Sequence, residues 1–502
     1  MYSAPVVQPP PLKTIGKACL MIYLSALAGW GAQRIGIAPT QLSVIAVSTF
    51  VAVIATTLFF WTHRVAVAFL GVAVLIGSRA MTLQGLLRSA ELEIILFLVG
   101  MMIIVGALKD LGVPTWIIQC IINKRQMTGS TFAIILCVLS AVLSSLIGEV
   151  SSIVVVLALV FQVCDTLKLR ASPFVLMAVL CTNIGSAATM LGNPVGIFIG
   201  NKAGFTFGQF LTGAAPVACA ALAVTICVML IWYRKGIAEM TLRMEEHRKL
   251  RQGLGPLVRI PHRRGLFVLV ATILTIAFHH QIESALGLTG AENTNAFLII
   301  TPLIIAGLLM IYRPQRARHY VEREVEWWTL LFFMLLFAVA GGLEAQGVTH
   351  NVANRLAAFT TGDPNALVPL VLGITSVGSA FVDNIVFVAA FNPVIHSLVE
   401  HASNYSILWW ALLFGACFGG NITVVGSTAN IVALGLLEKR GHAYIPFFEW
   451  LRIGLVIGIL TAFIAWGMLS VMPVPKPLDR HSGSGAEAAT QPVAQPSPSP
   501  AR

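Results

Sequence analysis

Ser379–Phe387 reads SAFVDNIVF and sets Asp383 and Asn384 inside an otherwise apolar run, with Leu367–Val382 before them and Ile385–Val399 after. A carboxylate surrounded by lipid is costly, so one found in such a run is a functional-site candidate by default. The stretch has an echo in Ser144–Ser152, SSLIGEVSS. At the shift of 235 residues that carries Ser144 onto Ser379, Leu146 meets Phe381, Ile147 meets Val382, Gly148 meets Asp383 and Glu149 meets Asn384. The chain reads as two related halves built around two polar breaks.

Composition supplies the solvent. Of 502 residues, 57% are hydrophobic and 11% charged, whereas ordinary globular domains carry about 25% charged residues. So few charges cannot cover a water-facing surface, and the expected surroundings are a lipid bilayer. The net charge of +11 does not point to nucleic acid, because much of it lies in loops between apolar segments, the pattern that orients membrane proteins. The eight cysteines show no CxxC or Cys/His metal spacing and nearly all lie in apolar runs; they read as small hydrophobes, and no metal or cofactor is expected. The first apolar run reads as a retained span rather than a cleaved signal.

The expected fold is all-α and polytopic, with about 11 transmembrane helices plus two re-entrant hairpins in two inverted repeats. Residues 1–14 form a cytoplasmic tail and 15–233 the first transmembrane half, with its hairpin at 131–166. A basic linker covers 234–264; the second half is 265–471, with its hairpin at 367–400; a Ser/Pro/Ala/Gly-rich tail, 472–502, reads as disordered. The hairpin arms have about 16 to 17 residues, roughly 25 Å of helix, short of the ~30 Å of hydrocarbon. Their tips are therefore expected partway through the membrane, enclosed by protein or by a watery cavity. Nine Lys/Arg between Arg234 and Arg264 put the linker in the cytoplasm, whereas Gln281–Thr294 has none and falls outside. The N-terminus is then cytoplasmic, the C-terminus external and the plasma (inner) membrane the expected location. Glu91–Val113 and Glu326–Val348 repeat at the same shift, with seven of 23 positions identical, including Glu91/Glu326, Gly106/Gly341 and Gly112/Gly347. Five crossings separate the equivalents, so the halves should lie in opposite orientations, as in secondary transporters.

Each half has a second interruption. Thr182–Gly196 reads TNIGSAATMLGNPVG and Gly420–Ile431 reads GNITVVGSTANI; Thr189 aligns with Thr423, and Gly192 with Gly426, at a shift of 234. Glycine permits unwinding and proline removes a donor, so unwound helix is expected near 189–196 and 423–430. Free N–H ends there attract anions, while carbonyls and Ser/Thr/Asn oxygens suit Na⁺. Glu149 and Asp383 are the titratable centre, where a proton and a cation compete for one carboxylate. No Lys or Arg lies within either tip or unwound stretch. Glu91 and Glu326 read as helix N-terminal charges, and Trp327-Trp328 and Trp409-Trp410 as interface anchors.

At these residues the chain resembles the ion transporter superfamily. That group includes arsenite/antimonite permeases, NhaD-type sodium/proton antiporters, the melanosomal P protein, citrate permeases and sodium/dicarboxylate symporters. SAFVDN followed by GGNITVVGSTAN is similar to the permease pattern SAFxDN and GGNxTxxGxxAN. The resemblance covers roughly residues 40 to 470. It implies that Asp383, Asn384, Asn421, Thr423, Gly426, Ser427 and Asn430 line a transport site, with a scaffold domain, a moving transport domain and a homodimer. In the first half Asn183, Gly185, Thr189 and Gly192 are kept, but Gly148-Glu149 stands where the family has Asp-Asn, and Asn193-Pro194-Val195-Gly196 where it has a Pro-Pro-Asn-like run.

The leading reading is a secondary active permease for a small ion, an anion or an oxyacid such as arsenite or a carboxylate, coupled to H⁺ or Na⁺ by alternating access. One alternative is a sodium (cation)/proton antiporter using Glu149 and Asp383 directly. An alternative of another class is an ion channel, disfavoured because paired broken elements suit a fixed midplane site. No nucleophile/base constellation suggests an enzyme. No GxxxxGK[ST] loop is present, so an energising ATPase would have to be a separate subunit.

Overall fold

The computed structural model describes residues 12–122, 127–249, 262–285, 296–360, 363–401 and 403–474. Lys124-Arg125, residues 250–261 of the basic linker, most of the loop before Thr294 and nearly all of both tails lie outside them. Among the described residues the chain is helical, without strands. Helices α1 (Leu12–Arg34) and α2 (Gln41–Phe59) come first. Then follow α3 (Arg64–Gly77), α4 (Leu83–Ser89), α5 (Leu92–Asp110), α6 (Val113–Ile122), α7 (Gly129–Ile147), α8 (Glu149–Leu167), α9 (Ser172–Ser186) and α10 (Pro194–Ala203). Next, α11 (Phe207–Gln209) passes through a π-turn into α12 (Ala215–Trp232). Helices α13 (Arg234–Lys249), α14 (Arg263–Ala277) and α15 (His279–Ala285) lead to α16 (Ala296–Tyr312), α17 (Pro314–His319), α18 (Trp327–Ala345) and α19 (Val348–Phe359). The chain closes with α20 (Pro364–Phe381), α21 (Asn384–His401), α22 (Leu408–Gly419), α23 (Thr428–Lys439) and α24 (Phe447–Leu469). At the shift of 234 to 235, α3 to α10 correspond in order to α16 to α23, and α11 with α12 to α24.

Among the described residues, six stretches are long and apolar enough to cross a membrane: α5, α7, α8, Phe207–Trp232, α18 and α24. Seven further apolar helices are shorter. One cause of shortness is the pair of breaks, which cut the apolar runs 172–200 and 406–437 into α9/α10 and α22/α23. The hairpin arms are longer than the expected 16 to 17 residues. α7 and α8 have 19 each, because Thr128 caps α7 early by accepting from Thr131 N and Glu149 joins α8 as its first residue. Arm length therefore does not distinguish these helices from spans. At the tip, Gly148 and Glu149 line a small cavity together with Phe97, Leu98, Met101 and Val105 from the body of α5.

Gly148 makes the first tip possible. Its φ of +86° ends α7 and opens α8 at once, a backbone setting that other residues resist. At the second tip Val382 is extended, with φ −127° and ψ 138°, and α21 begins at Asn384.

The core sits around α9 and α22. All of α22 is buried, as is all of α9 except Pro173. Gly185 of α9 rests on the backbone of Ala141 in α7, and Gly419 of α22 rests on the backbone of Ser376 in α20. A Cβ at either glycine would collide with main chain, so small residues set how closely each broken helix approaches its hairpin. Trp409 and Trp410 are 2% exposed, not interface anchors. Trp410 stacks on Phe205 at 4.6 Å and meets Phe210 edge-on at 4.9 Å. Trp327 and Trp328, at 49% and 53% exposure, do lie on the surface.

Candidate transport site

The first break spans 187–193, between α9 and α10, rather than 189–196. Asn193 caps α10 by accepting from Gly196 N at 2.8 Å, and Pro194 takes the first helical position, where its missing N–H costs nothing. Proline here starts a helix instead of ending one. The second break spans 420–427, with a single 3-10 turn at Val424–Gly426. Ser427 caps α23 through Ala429 N at 3.2 Å, and Asn430 lies in the first turn of α23, not in unwound chain.

Each break is tied to its hairpin in the same way. Thr189 Oγ1 donates to Ser145 O and accepts from Leu191 N at 3.2 Å. Thr423 Oγ1 donates to Ala380 O and accepts from Val425 N at 3.2 Å. Ser145/Ala380 obey the shift of 235, and Thr189/Thr423 and Leu191/Val425 the shift of 234. Gly192 packs on Ser186 and Gly426 on Gly420, again at 234.

The halves then cross-link with the partners exchanged. Asn183 Nδ2 donates to Asn421 Oδ1 and Asn430 Oδ1, both at 2.9 Å, and its Oδ1 accepts from Ser427 Oγ at 3.1 Å. Cys417 is the counterpart of Asn183, and Asn193 that of Ser427; Asn193 Nδ2 donates to Cys417 Sγ at 3.0 Å and to Ser186 Oγ at 2.8 Å. Asn430 Nδ2 in turn donates to Gly420 O at 2.8 Å and Thr423 O at 2.9 Å. Both protons of Asn183 and of Asn430 are therefore committed. These two, with Thr189, Thr423, Asn193 and Ser427, hold the breaks together. Asn421 differs: its Nδ2 is buried without a hydrogen-bond partner, a cost that a bound ligand would remove.

The carboxylates lie at this junction. Glu149 is 3% exposed, its side chain lies against Asn384, Ser186 and Asn193, and its Oε2 has no hydrogen-bond partner. Asp383 is 2% exposed; its Oδ2 accepts from Thr428 Oγ1 at 2.5 Å and its Oδ1 from Ile385 N at 3.3 Å. Both carboxylates are buried, although they belong to different hairpins. Of the residues expected from sequence, Glu149, Asn183, Thr189, Gly192, Asn193, Asp383, Asn384, Asn421, Thr423, Gly426, Ser427 and Asn430 all fall in or against the two tips and breaks.

Sequence reading missed three contributors. Ser186 and Thr428 sit within the motifs but look like generic small polar residues. Arg64 belongs to no motif and stands between two apolar stretches of the sequence, yet it is 4% exposed. Its guanidinium donates to Thr329 Oγ1 at 3.3 Å, lies 4.9 Å from the Phe332 ring centre and acts on Asp383. Beyond the junction, an open cavity of about 410 Å³ is lined by Arg88, Glu91, Lys202, Glu344, Asn392 and His396 among others. Glu91 stands at the N-cap of α5 without a capping hydrogen bond, and its carboxylate also pairs with Lys202 of α10.

The citrate transporter family matches residues 50–415. Two uncharacterized transporters of Mycobacterium tuberculosis are 30% identical over 435 residues and 29% over 440. The alignments cover 84% and 85% of this chain and 97% and 98% of those proteins. The P protein of Homo sapiens is 26% identical over 516 residues, covering 88% of this chain and 61% of that protein. An all-helical chain with apolar spans, two hairpins and two mutually bonded breaks, matched over most of its length by transporters, belongs to the citrate transporter family and is an integral membrane permease of the ion transporter superfamily.

Proposed function

We propose that this transporter is secondary active and moves a small anion or oxyacid, a carboxylate or arsenite, coupled to H⁺ or Na⁺ by alternating access. The observation that carries the proposal is the junction itself. Two buried carboxylates and the unpartnered Asn421 Nδ2 meet where two helices break. The starts of α10 and α23, both capped at this junction, present helix N-termini suited to an anion, and Glu149 and Asp383 supply the charge that a coupling cation would balance. The family's name favours citrate-like carboxylates as the first substrates to try. In this reading the matched contacts of the halves reflect inverted repeats, the tips of α7/α8 and α20/α21 are re-entrant, and the protein is a homodimer in the plasma membrane.

The test is uptake and efflux by the purified chain in proteoliposomes, over carboxylates, oxyanions and monovalent cations, with imposed pH or Na⁺ gradients. Accumulation of one anion driven by either gradient is the expected result. Cation exchange without anion movement would favour a sodium/proton antiporter, a reading supported by the pair of buried carboxylates. Flux that never exceeds equilibrium would identify a channel. Orientation is checked separately: in a cysteine-free background, a Cys at Glu292 should react with an impermeant reagent from outside and one at Gln252 should not.

A further inference from the structure

We infer that the open cavity beyond the junction is a second binding site, built for a small zwitterion that carries a carboxylate and an ammonium group, such as an amino acid. The inference does not depend on which ion the tips carry. α10 and α21 begin at the first break and the second tip, and Lys202 and Asn392 each lie eight residues along them, about 12 Å of helix. An occupant here is therefore separate from one at the carboxylates of the tips.

The cavity measures about 410 Å³, within the roughly 300–1,000 Å³ of small-ligand pockets. Part of its wall is apolar: Phe198 and Phe337 stack at 5.0 Å, beside Ala340, Gly341 and Ala389. Two basic and two acidic side chains, Arg88, Lys202, Glu91 and Glu344, also line it. Lys202 and Glu91 neutralise each other in an ion pair. Arg88 and Glu344 are exposed and make no ion pair among the described residues, so one free charge of each sign remains. Asn392 adds an uncommitted acceptor. It is 5% exposed, and its Oδ1 has no hydrogen-bond partner, a cost that a bound donor removes. His396 is committed to Glu400 at 3.4 Å. A lone anion or cation would leave one free charge unmatched, whereas a zwitterion matches both. Its carboxylate suits Arg88, and its ammonium suits Glu344 and Asn392 Oδ1. The repeat argues that this polarity is not scaffolding. At the shifts of 234 and 235, Lys202, Asn392 and His396 correspond to Leu436, Leu157 and Phe161, so the duplicated helices carry apolar side chains at these positions.

The test is isothermal titration of the full-length chain, purified in detergent, with glycine, L-serine and L-leucine, and with acetate and methylammonium as the two halves of the ligand. At least one of the amino acids should bind saturably, and each half should bind at least about tenfold more weakly. Arg88→Gln and Glu344→Gln should each weaken that binding by about tenfold or more. Asn392→Leu, which installs the residue type found in the other half, should do the same. The melting temperature of each variant reports its folding, and the two exposed-charge variants keep the proposal testable if Asn392→Leu does not fold. No saturable binding of any of the three amino acids overturns the proposal. So does acetate or methylammonium binding as tightly as the amino acids, which would mark a simple anion or cation site. Wild-type affinity for the amino acid in both charge variants overturns it as well.

Discussion

At the first tip Gly148 turns the chain through a left-handed φ and Glu149 follows inside the helix; at the second, Val382 stays extended and Asp383 precedes the helix. Both tips lie against a threonine-pinned break of the other helix pair in their half, and both carry one carboxylate. They differ in what meets that carboxylate: an apolar cavity at Glu149, and the Thr428 hydroxyl with the Ile385 N–H at Asp383. The cross-links between halves are unequal too, since Asn183 makes three hydrogen bonds where its counterpart Cys417 accepts one. Duplicated scaffolding with divergent tips means that the repeat accounts for the geometry of the site and the departures from it account for its charge.

The largest expected effect falls on the tips. Asp383→Asn keeps the shape but removes a buried carboxylate that accepts from Thr428 Oγ1 and Ile385 N, and a group of this kind inside an apolar run is a functional site by default. Uptake per folded protein should drop by ~10²-fold or more. Glu149→Gln keeps a hydrogen-bonding side chain and removes the group that would accept the cation, so its uptake should lose dependence on pH or Na⁺. Transport rate against pH for both variants checks this, and wild-type rates and profile in both would remove the carboxylates from coupling.

Next comes the unequal cross-link. Asn183→Ala strands Asn421, Asn430 and Ser427, at about 1–3 kcal/mol for each buried group left unsatisfied. Cys417→Ala removes one weak sulfur acceptor and should cost under about 1 kcal/mol beyond the small volume change. Thermal melting in detergent measures both, and equal losses would contradict the asymmetry.

The glycine approaches should behave alike. Gly185→Ala and Gly419→Ala each push a Cβ into hairpin main chain, and overpacking of that kind costs about 1–3 kcal/mol. Matched falls in melting temperature are expected; a fall in only one would break the structural repeat at that point. The smallest effect is on the rim: Lys202→Met removes a partly exposed ion pair with Glu91, worth under about 1 kcal/mol, and should change uptake by no more than a few-fold.

Much of this was legible in the sequence. Asp383 in an apolar run, the shift of 235 and the paired Gly/Thr motifs located both tips and both breaks, because lipid makes polar residues conspicuous. Boundaries were less legible. Pro194 reads equally well as a stop or as a first helical residue, and only the Asn193 cap decides. Trp409-Trp410 could not be told from an interfacial pair, since hydropathy does not record whether an apolar helix faces lipid or protein. Arg64 was hidden for a related reason: next to a loop, its depth depends on how α3 meets α18, which no local pattern encodes. Ser145 and Ala380 act through backbone carbonyls, so their side chains carry no signal.

The clasp of Trp410 by Phe205 and Phe210 has an optical consequence. The indole belongs to the second half and both phenylalanines to the first, flanking the loop that leaves α10. Sliding of one half past the other would unstack the indole and change the polarity around it. In a variant whose nine other tryptophans are replaced by phenylalanine, its emission wavelength would then record, without any added dye, how far the halves have travelled as substrate and cation gradients are applied.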